Sequence, residues 1–137
     1  MNSNFTLAIH SLTLLALKPE SMSSSDAIAE SANVHPVRIR KVLSVLKKHG
    51  YIISKEGTGG GFIFALSPED VNLWDIYKIT SEGALQPKCP ESNEKCIVGA
   101  NMQHVLFNIF LGAEEHLGVY LKKYTIKEVV EFVNQGC

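Results

Sequence analysis

Three kinds of residue in this chain have chemistry to offer a partner. The first is cationic. Between His35 and Gly59 stand Arg38, Arg40, Lys41, Lys47, Lys48 and Lys55, against the one acid Glu56. The whole chain has a formal charge of −1, so this block is a local feature that the total masks. A basic block in a neutral chain suggests one face that meets an anion, although a solvated helix face uses the same residues. The second kind is thiol. Cys89 and Cys96 lie close in sequence and Cys137 stands last. That pattern does not look like a secreted disulfide scaffold. The third is bare backbone. "GTGGG" places four glycines in the five positions Gly57 to Gly61. A P-loop sets its glycines between a strand and a helix and follows them with Lys-Ser/Thr, and a dinucleotide fingerprint also opens a helix. Here Phe62 follows and the flanks read as strands. The run is therefore a hairpin turn, able to come close to a sugar-phosphate backbone because it carries little side chain.

These residues need elements to position them. The 137 residues suffice for one domain with a core, and 45% hydrophobic with 20% charged is an ordinary soluble composition. Phe5 to Leu17 reads as a helix with Phe5, Ala8, Ile9, Leu12, Leu15 and Ala16 apolar, stopped by Pro19. It is too short to span a bilayer and has no positive residue ahead of it, so a buried helix of a cytoplasmic protein without a membrane partner is expected. "SMSSSDAIAESANV" gives a short second helix, capped by Ser23 or Ser24, with Asp26 in its first turn and Asn33 at the turn after it. Pro36 to about His49 forms a third. Ile39, Val42, Leu43 and Leu46 make its apolar face. Val37, Arg38, Arg40, Lys41, Ser44, Lys47 and Lys48 face the other way, and Gly50 is the stop.

"YIISKE" and "FIFAL" read as two strands around the glycines. Ser67-Pro68-Glu69-Asp70 has the form of a capping box that opens a helix to about Ile79. Glu82 to Gly99 is a polar loop. A long helix from about Ala100 to Lys123 follows, apolar at Met102, Val105, Leu106, Ile109, Phe110, Ala113, Leu117 and Tyr120, and at Tyr124 just beyond it. Thr125-Ile126-Lys127-Glu128 is a second capping box, starting a last helix with Val129, Val130 and Val133 inward. The order is helix, helix, helix, strand, glycine turn, strand. The expected fold is mainly α with a small β-hairpin wing: a winged helix-turn-helix over 1–80, a cysteine-containing loop over 81–99, and a long helix with a terminal helix over 100–137, longer than the winged domain itself needs. The third helix is the candidate recognition helix.

"HPVRIRKVLSVLKKHGYIISKEGTGGGFIFALSPEDVNLWDIYKIT" resembles the Rrf-two family of bacterial winged-helix transcription factors. The carrying residues are Val42-Leu43-x-x-Leu46, His49-Gly50-Tyr51-Ile52, Gly57-x-Gly59-Gly60-Gly61-Phe62 and Asp75-Ile76. The resemblance runs through nearly the whole chain, including "YTIKEVV". It implies a homodimer seamed along the long helix by Val105, Leu106, Ile109, Phe110, Ala113, Leu117 and Tyr120, binding a palindromic double-stranded operator as a regulator, in the first instance a repressor. Carried over, the DNA-facing residues are Val37, Arg38, Arg40 and Lys41, with His35 near a phosphate. Arg40 is the candidate for a bidentate guanine contact, and Lys41, Lys47 and Lys48 are the phosphate contacts. In the wing, Lys55, Thr58, Gly59 and Gly60 are the candidates. Family members often carry an arginine just before the first wing glycine, where this chain has Glu56.

Cluster-binding members of the family hold iron–sulfur through three loop cysteines. This loop has Cys89 and Cys96, and the third position falls on His104. The sequence instead resembles a two-cysteine branch, so no cofactor and no metal is expected and Cys89, Cys96 and His104 are weak ligand candidates. Cys96, just ahead of a helix N-terminus and beside Lys95, is placed to be a reactive thiolate, pairing on oxidation with Cys89 or Cys137. An iron–sulfur sensor is the alternative, as is a winged helix used for protein–protein contact. No Ser-His-Asp or Cys-His set is tied together by motif, so the protein is not expected to be an enzyme. His10, His104 and His116 read as packing or surface residues.

Overall fold

The computed structural model describes residues 3–136. Three helices, a two-stranded hairpin and three further helices follow in order. Helix α1 (Ser3–Leu17) is the central strut. Its Leu7, Ala8, Leu12 and Leu15 are buried against Ile28 and Ala29 of α2 (Ser25–Ala32) and Ile39, Val42, Leu43 and Leu46 of α3 (Pro36–Lys48). Two hydroxyls inside α1 do not disturb this core. Ser11 Oγ donates to the Leu7 carbonyl and Thr13 Oγ1 to that of Ile9, each at 2.7 Å.

Local signals set the helix ends. Ser24 caps α2 by accepting from the Ala27 N–H at 3.1 Å. Asn33 ends that helix in the left-handed region at φ 56°, a conformation asparagine tolerates. Pro36 opens α3, and the imidazole of His35 caps it, Nδ1 accepting from the Val37 N–H at 3.1 Å.

Strands β1 (Ile52–Lys55) and β2 (Gly61–Phe64) pair antiparallel, Ile52 opposite Phe64 and Lys55 opposite Gly61. The hairpin is also stitched to the entry of α2. The Ser23 N–H donates to the Phe62 carbonyl at 3.1 Å, and the Phe62 N–H to that of Ser23 at 2.8 Å. Gly61 makes that approach possible. Its φ is +147°, and a Cβ there would lie 2.6 Å from the Ser23 carbonyl oxygen.

Three expectations from the sequence are corrected. The Ser67 box does not open a helix: Pro68–Asp70 is one 3-10 turn, and Ser67 makes no side-chain cap. The reason is Val71, which is fully buried in extended backbone and accepts from the Ile126 N–H at 2.9 Å. Helix α4 (Leu73–Thr80) starts after it, capped by Asn72, whose Oδ1 accepts from the Asp75 N–H at 2.9 Å. The long helix α5 (Ile97–Leu121) starts three residues earlier than expected, with Cys96 as its N-cap. In α6 (Ile126–Asn134), Ile126 is the residue buried fully, whereas Val133 is half exposed. Thr125 does cap α6, its Oγ1 accepting from the Glu128 N–H at 3.2 Å.

Helix α5, about 37 Å long at ~1.5 Å per residue over its 25 residues, is held to the head near its C-terminal end. Gly118 lies against the ring of Trp74. Trp74 stacks on Tyr77 at 5.2 Å between centroids. Glu114, a buried carboxylate, accepts from Tyr77 Oη and from the Gly83 N–H, both at 2.9 Å. The N-terminal half is different: Ile97, Val98, Met102, Val105, Phe107 and Ile109 are all exposed.

Candidate nucleic-acid interface

The basic block divides between α3 and the wing, and the two are brought together. A groove of about 480 Å³ runs between them, lined by Arg40, Leu43, Ser44 and Lys47 of α3, by Ser54, Lys55, Glu56, Gly57, Gly60, Gly61 and Phe62 of the hairpin, and by Ser24 and Ser25 at the start of α2. The amphipathic period of α3 dictates this. With Ile39, Val42, Leu43 and Leu46 inward, the 3.6-residue repeat leaves Arg40, Ser44 and Lys47 on one outward stripe.

The other predicted contacts lie around this groove. Val37 and Arg38 are exposed at the N-terminal end of α3. The Arg38 guanidinium donates to Ser3 Oγ, which ties the start of α1 to the recognition helix. His35 is exposed, and its cap bond makes Nδ1 an acceptor, so the ring proton sits on Nε2, pointing the one remaining donor outward. Lys41 lies apart from the groove, beside Asn4, Val45, Ile79 and Thr80. Lys48, Thr58 and Gly59 are exposed and do not line the groove. Glu56 does line it, so the wing presents Lys55 and a carboxylate side by side.

Arg40 has a partner that the sequence did not announce. Its Nη2 lies 3.6 Å from Asp26 Oδ1 in the first turn of α2. The cap at Ser24 places Asp26 in the first turn of α2, but its meeting with Arg40 comes from how α2 crosses α3, which no local signal gives.

Of the predicted sensing residues, Cys96 sits at the N-terminal end of α5 and Cys89 in the loop before it. Cys96 is exposed, and the N–H groups of Gly99 first and Val98 next hold its thiol below the ordinary range. The turn that presents it is closed by Asn93, which donates its N–H to the Gly99 carbonyl at 3.2 Å and accepts from Cys96 N at 3.1 Å. Cys89 is half-buried, its Sγ 3.9 Å from the Pro87 carbonyl. Both thiols are free. His104 is exposed on α5 and shares a hydrogen bond of 3.2 Å with Asn108. Among the described residues, no three His, Cys, Asp or Glu side chains converge to hold a metal. Cys137 lies outside the described residues. No helix among the described residues is long and apolar enough to cross a membrane.

Residues 1–132 match the family model Rrf2, described as an iron-dependent transcriptional regulator. The chain belongs to the Rrf2 family. It is similar to YwnA of Bacillus subtilis (strain 168), a candidate HTH-type transcriptional regulator: 30% identical over 131 residues, 95% of this chain and 96% of that one. It is also similar to the HTH-type transcriptional regulator NsrR of the same strain, 29% identical over 86% of this chain and 80% of NsrR. Among solved structures, a candidate transcriptional regulator from Lactobacillus plantarum superposes with a TM-score of 0.84 at 30% identity, covering 98% of this chain and 91% of the other. The winged helix-turn-helix expected from the sequence is thus the fold of this Rrf2 chain, and its relatives are transcriptional regulators rather than enzymes.

The family description names iron, and among the described residues the candidate donors for an iron–sulfur centre are Cys89, Cys96 and His104. An iron–sulfur centre takes four protein ligands. Among the described residues these three do not converge within one protomer.

Proposed function

We propose that the protein is a sequence-specific DNA-binding regulator that works in the cytoplasm as a homodimer, represses from a palindromic operator, and responds to oxidation of its thiols without a bound cofactor. The observation that carries DNA binding is the groove between α3 and the wing, where Arg40, Lys47 and Lys55 stand together in a chain of net charge −1. In that reading Arg40 addresses a base edge, and Lys47, Lys48 and Lys41 meet phosphates. Helix α5 supports the dimer. An apolar surface that includes Val105, Phe107 and Ile109 is exposed on a helix that extends beyond its own head. Leu106, Phe110 and Leu117 are half-buried on the same helix.

Cys96 supports the redox control. It is exposed and held toward thiolate by backbone N–H groups. With a peroxide as oxidant, the thiolate attacks one oxygen, the O–O bond breaks, the other oxygen leaves as water or an alcohol after taking a proton, and the cysteine becomes a sulfenic acid. Condensation with the thiol of Cys89 or Cys137 then forms the S–S bond and releases water.

The test is retardation of the protein's own promoter duplex. Binding should weaken steeply as salt rises, because phosphate contacts release counterions. It should change on oxidation with diamide, and that response should vanish in Cys96→Ser. No retardation at low salt would instead favour a winged helix used for protein contact. A second reading, an iron–sulfur sensor, has the family description in its favour. Visible absorption of anaerobically purified protein decides between them.

A further inference from the structure

We infer that Asp26 is a specificity-determining positioning residue: its carboxylate holds Arg40 in the orientation from which that arginine reads a base. This rests on the DNA-binding reading above. Three observations carry it. Arg40 is a groove-lining cation on the outward stripe of α3. Its Nη2 is 3.6 Å from Asp26 Oδ1. Among the described residues, the other ion pairs, Lys78 with Asp75 and Lys127 with Glu69, involve no groove-lining cation, so Arg40 is the one groove cation paired in this way.

As a stability device the pair is poor, since both side chains are more than half exposed, at 56% and 76%. An acid on a surface that meets phosphate also opposes binding at long range. Its geometry suits another purpose. A guanidinium has five N–H donors in a planar fork, and bidentate recognition of guanine uses two of them. An ion pair at Nη2 leaves the Nε and Nη1 N–H groups available to a base and disfavours rotamers that point the fork elsewhere. The ordering of a long side chain is then already done before DNA arrives. Asp26 can anchor because its own backbone is fixed: Ser24 caps α2, and the Ser23–Phe62 bonds tie that cap to the wing. The anchor, the reading residue and the wing therefore move as one unit.

The inference predicts a split between specificity and affinity. Bidentate arginine–guanine contact corresponds to roughly 5- to 150-fold discrimination at one base pair. Asp26→Ala should lose roughly 2- to 12-fold of it, the effect of having to order one long side chain on binding. Affinity for non-specific DNA should stay level or rise, because a negative charge has gone. Asp26→Asn, which keeps an acceptor, should fall between. The full chain and its variants are used to enrich a randomised duplex pool, and the motifs are compared position by position, with thermal unfolding as a fold control. Arg40→Ala should erase the preference at one position of each half-site. Asp26→Ala should weaken that same position and no other, and Asp26→Ala/Arg40→Ala should match Arg40→Ala. An unchanged motif in Asp26→Ala overturns the inference, and so does an equal weakening at every position. If the wild-type chain enriches no motif, the DNA-binding reading fails as well, which separates the two failures.

Discussion

Gly118→Ala sets two known effects against each other at the joint between α4 and α5. In a helix interior alanine is favoured over glycine by about 1 kcal/mol, so an exposed site would be stabilised. Gly118 is not exposed. A Cβ there would lie 2.7 Å from Trp74 Cε2 and 2.8 Å from Cζ2. Carbon atoms pack at about 3.5–4.0 Å, so the indole must retreat by close to ~1 Å. Behind it the Tyr77 ring is stacked at 5.2 Å with 15° between planes, and Tyr77 is fully buried with its hydroxyl held by Glu114. Overpacking of this kind costs about 1–3 kcal/mol. The net expectation is ~0–2 kcal/mol of destabilisation, after subtracting the helix gain. Trp74 is the one tryptophan, so its emission reports the joint directly. Denaturant unfolding followed by that emission, at fixed protein concentration, should show a changed native spectrum and a stability level with or below wild type. Trp74→Phe should relieve the clash, so the pair should be more stable than the sum of the singles by about 1 kcal/mol or more, followed by circular dichroism. An unchanged spectrum together with a gain of about 1 kcal/mol would refute the packing argument, since only helix propensity would then be acting.

Three further outcomes follow from the same geometry. Replacing Lys47 or Lys48 by alanine should weaken operator binding about equally across sequences and lower the log–log salt slope by ~0.9 for each phosphate no longer neutralised; a variant with an undiminished slope makes that lysine a solvated bystander. The thiol of Cys96 is shifted down, so its thiolate persists to lower pH in the folded protein than in the unfolded chain; its iodoacetamide alkylation, read by mass spectrometry, should have a midpoint that rises in urea, and equal midpoints would remove the helix-start effect. Tyr77 is pushed up to about 12, by burial first and by Glu114 next, from the ordinary 10; a raised folded-state value favours the neutral form, so this stabilisation is intact below pH ~10 and is lost as pH rises toward 12, and Tyr77→Phe should flatten the alkaline limb of the stability curve.

The head was legible because its signals are local and agree with one another. Ile39, Val42, Leu43 and Leu46 keep a helical period between Pro36 and Gly50, and all four are buried. The glycine run was legible as a turn but only half understood. Gly61 is required by the approach of Ser23, a pairing between distant parts of the chain that no local pattern encodes. The Ser67 box failed for a similar reason. Its capping signal was real, but Val71 is more strongly held by burial and by pairing with Ile126 than a first helical turn would hold it. The start of α5 was missed because Gly99 reads as the end of a loop, although Val98, four residues before Met102, continues the apolar stripe. No sequence pattern marked Glu114; its partners at Tyr77 and Gly83 make it a core residue. In the candidate site, the residue types and their outward stripe were visible, whereas the Asp26–Arg40 pair depends on how α2 crosses α3.

The joint at Gly118 also bears on how a signal at Cys96 reaches DNA. Cys96 caps one end of α5, and toward the other Trp74 and Tyr77 grip the helix at Gly118 and Glu114. Over about 37 Å of helix no direct contact links the thiol to α3. The loop does lie along α5, Gln86 Nε2 donating to the Phe107 carbonyl at 3.2 Å and the Gly83 N–H to Glu114. A disulfide made at the Cys96 end therefore acts on the helix as a lever. A tilt of about 5° over ~37 Å displaces the far end by about 3 Å, comparable with the rise of one base pair at ~3.4 Å. Such a lever transmits only if its grip is stiff. Glu114→Ala leaves the buried Tyr77 hydroxyl without its acceptor, at about 1–3 kcal/mol, and releases the exposed Gly83 N–H to water. The reduced variant should still bind operator, because α3 and the wing are untouched, but its affinity should respond less to diamide than the wild type does. A variant that loosens the joint, shown by a changed Trp74 spectrum, yet keeps the full oxidant response would rule out α5 as the lever and place the coupling in the loop alone.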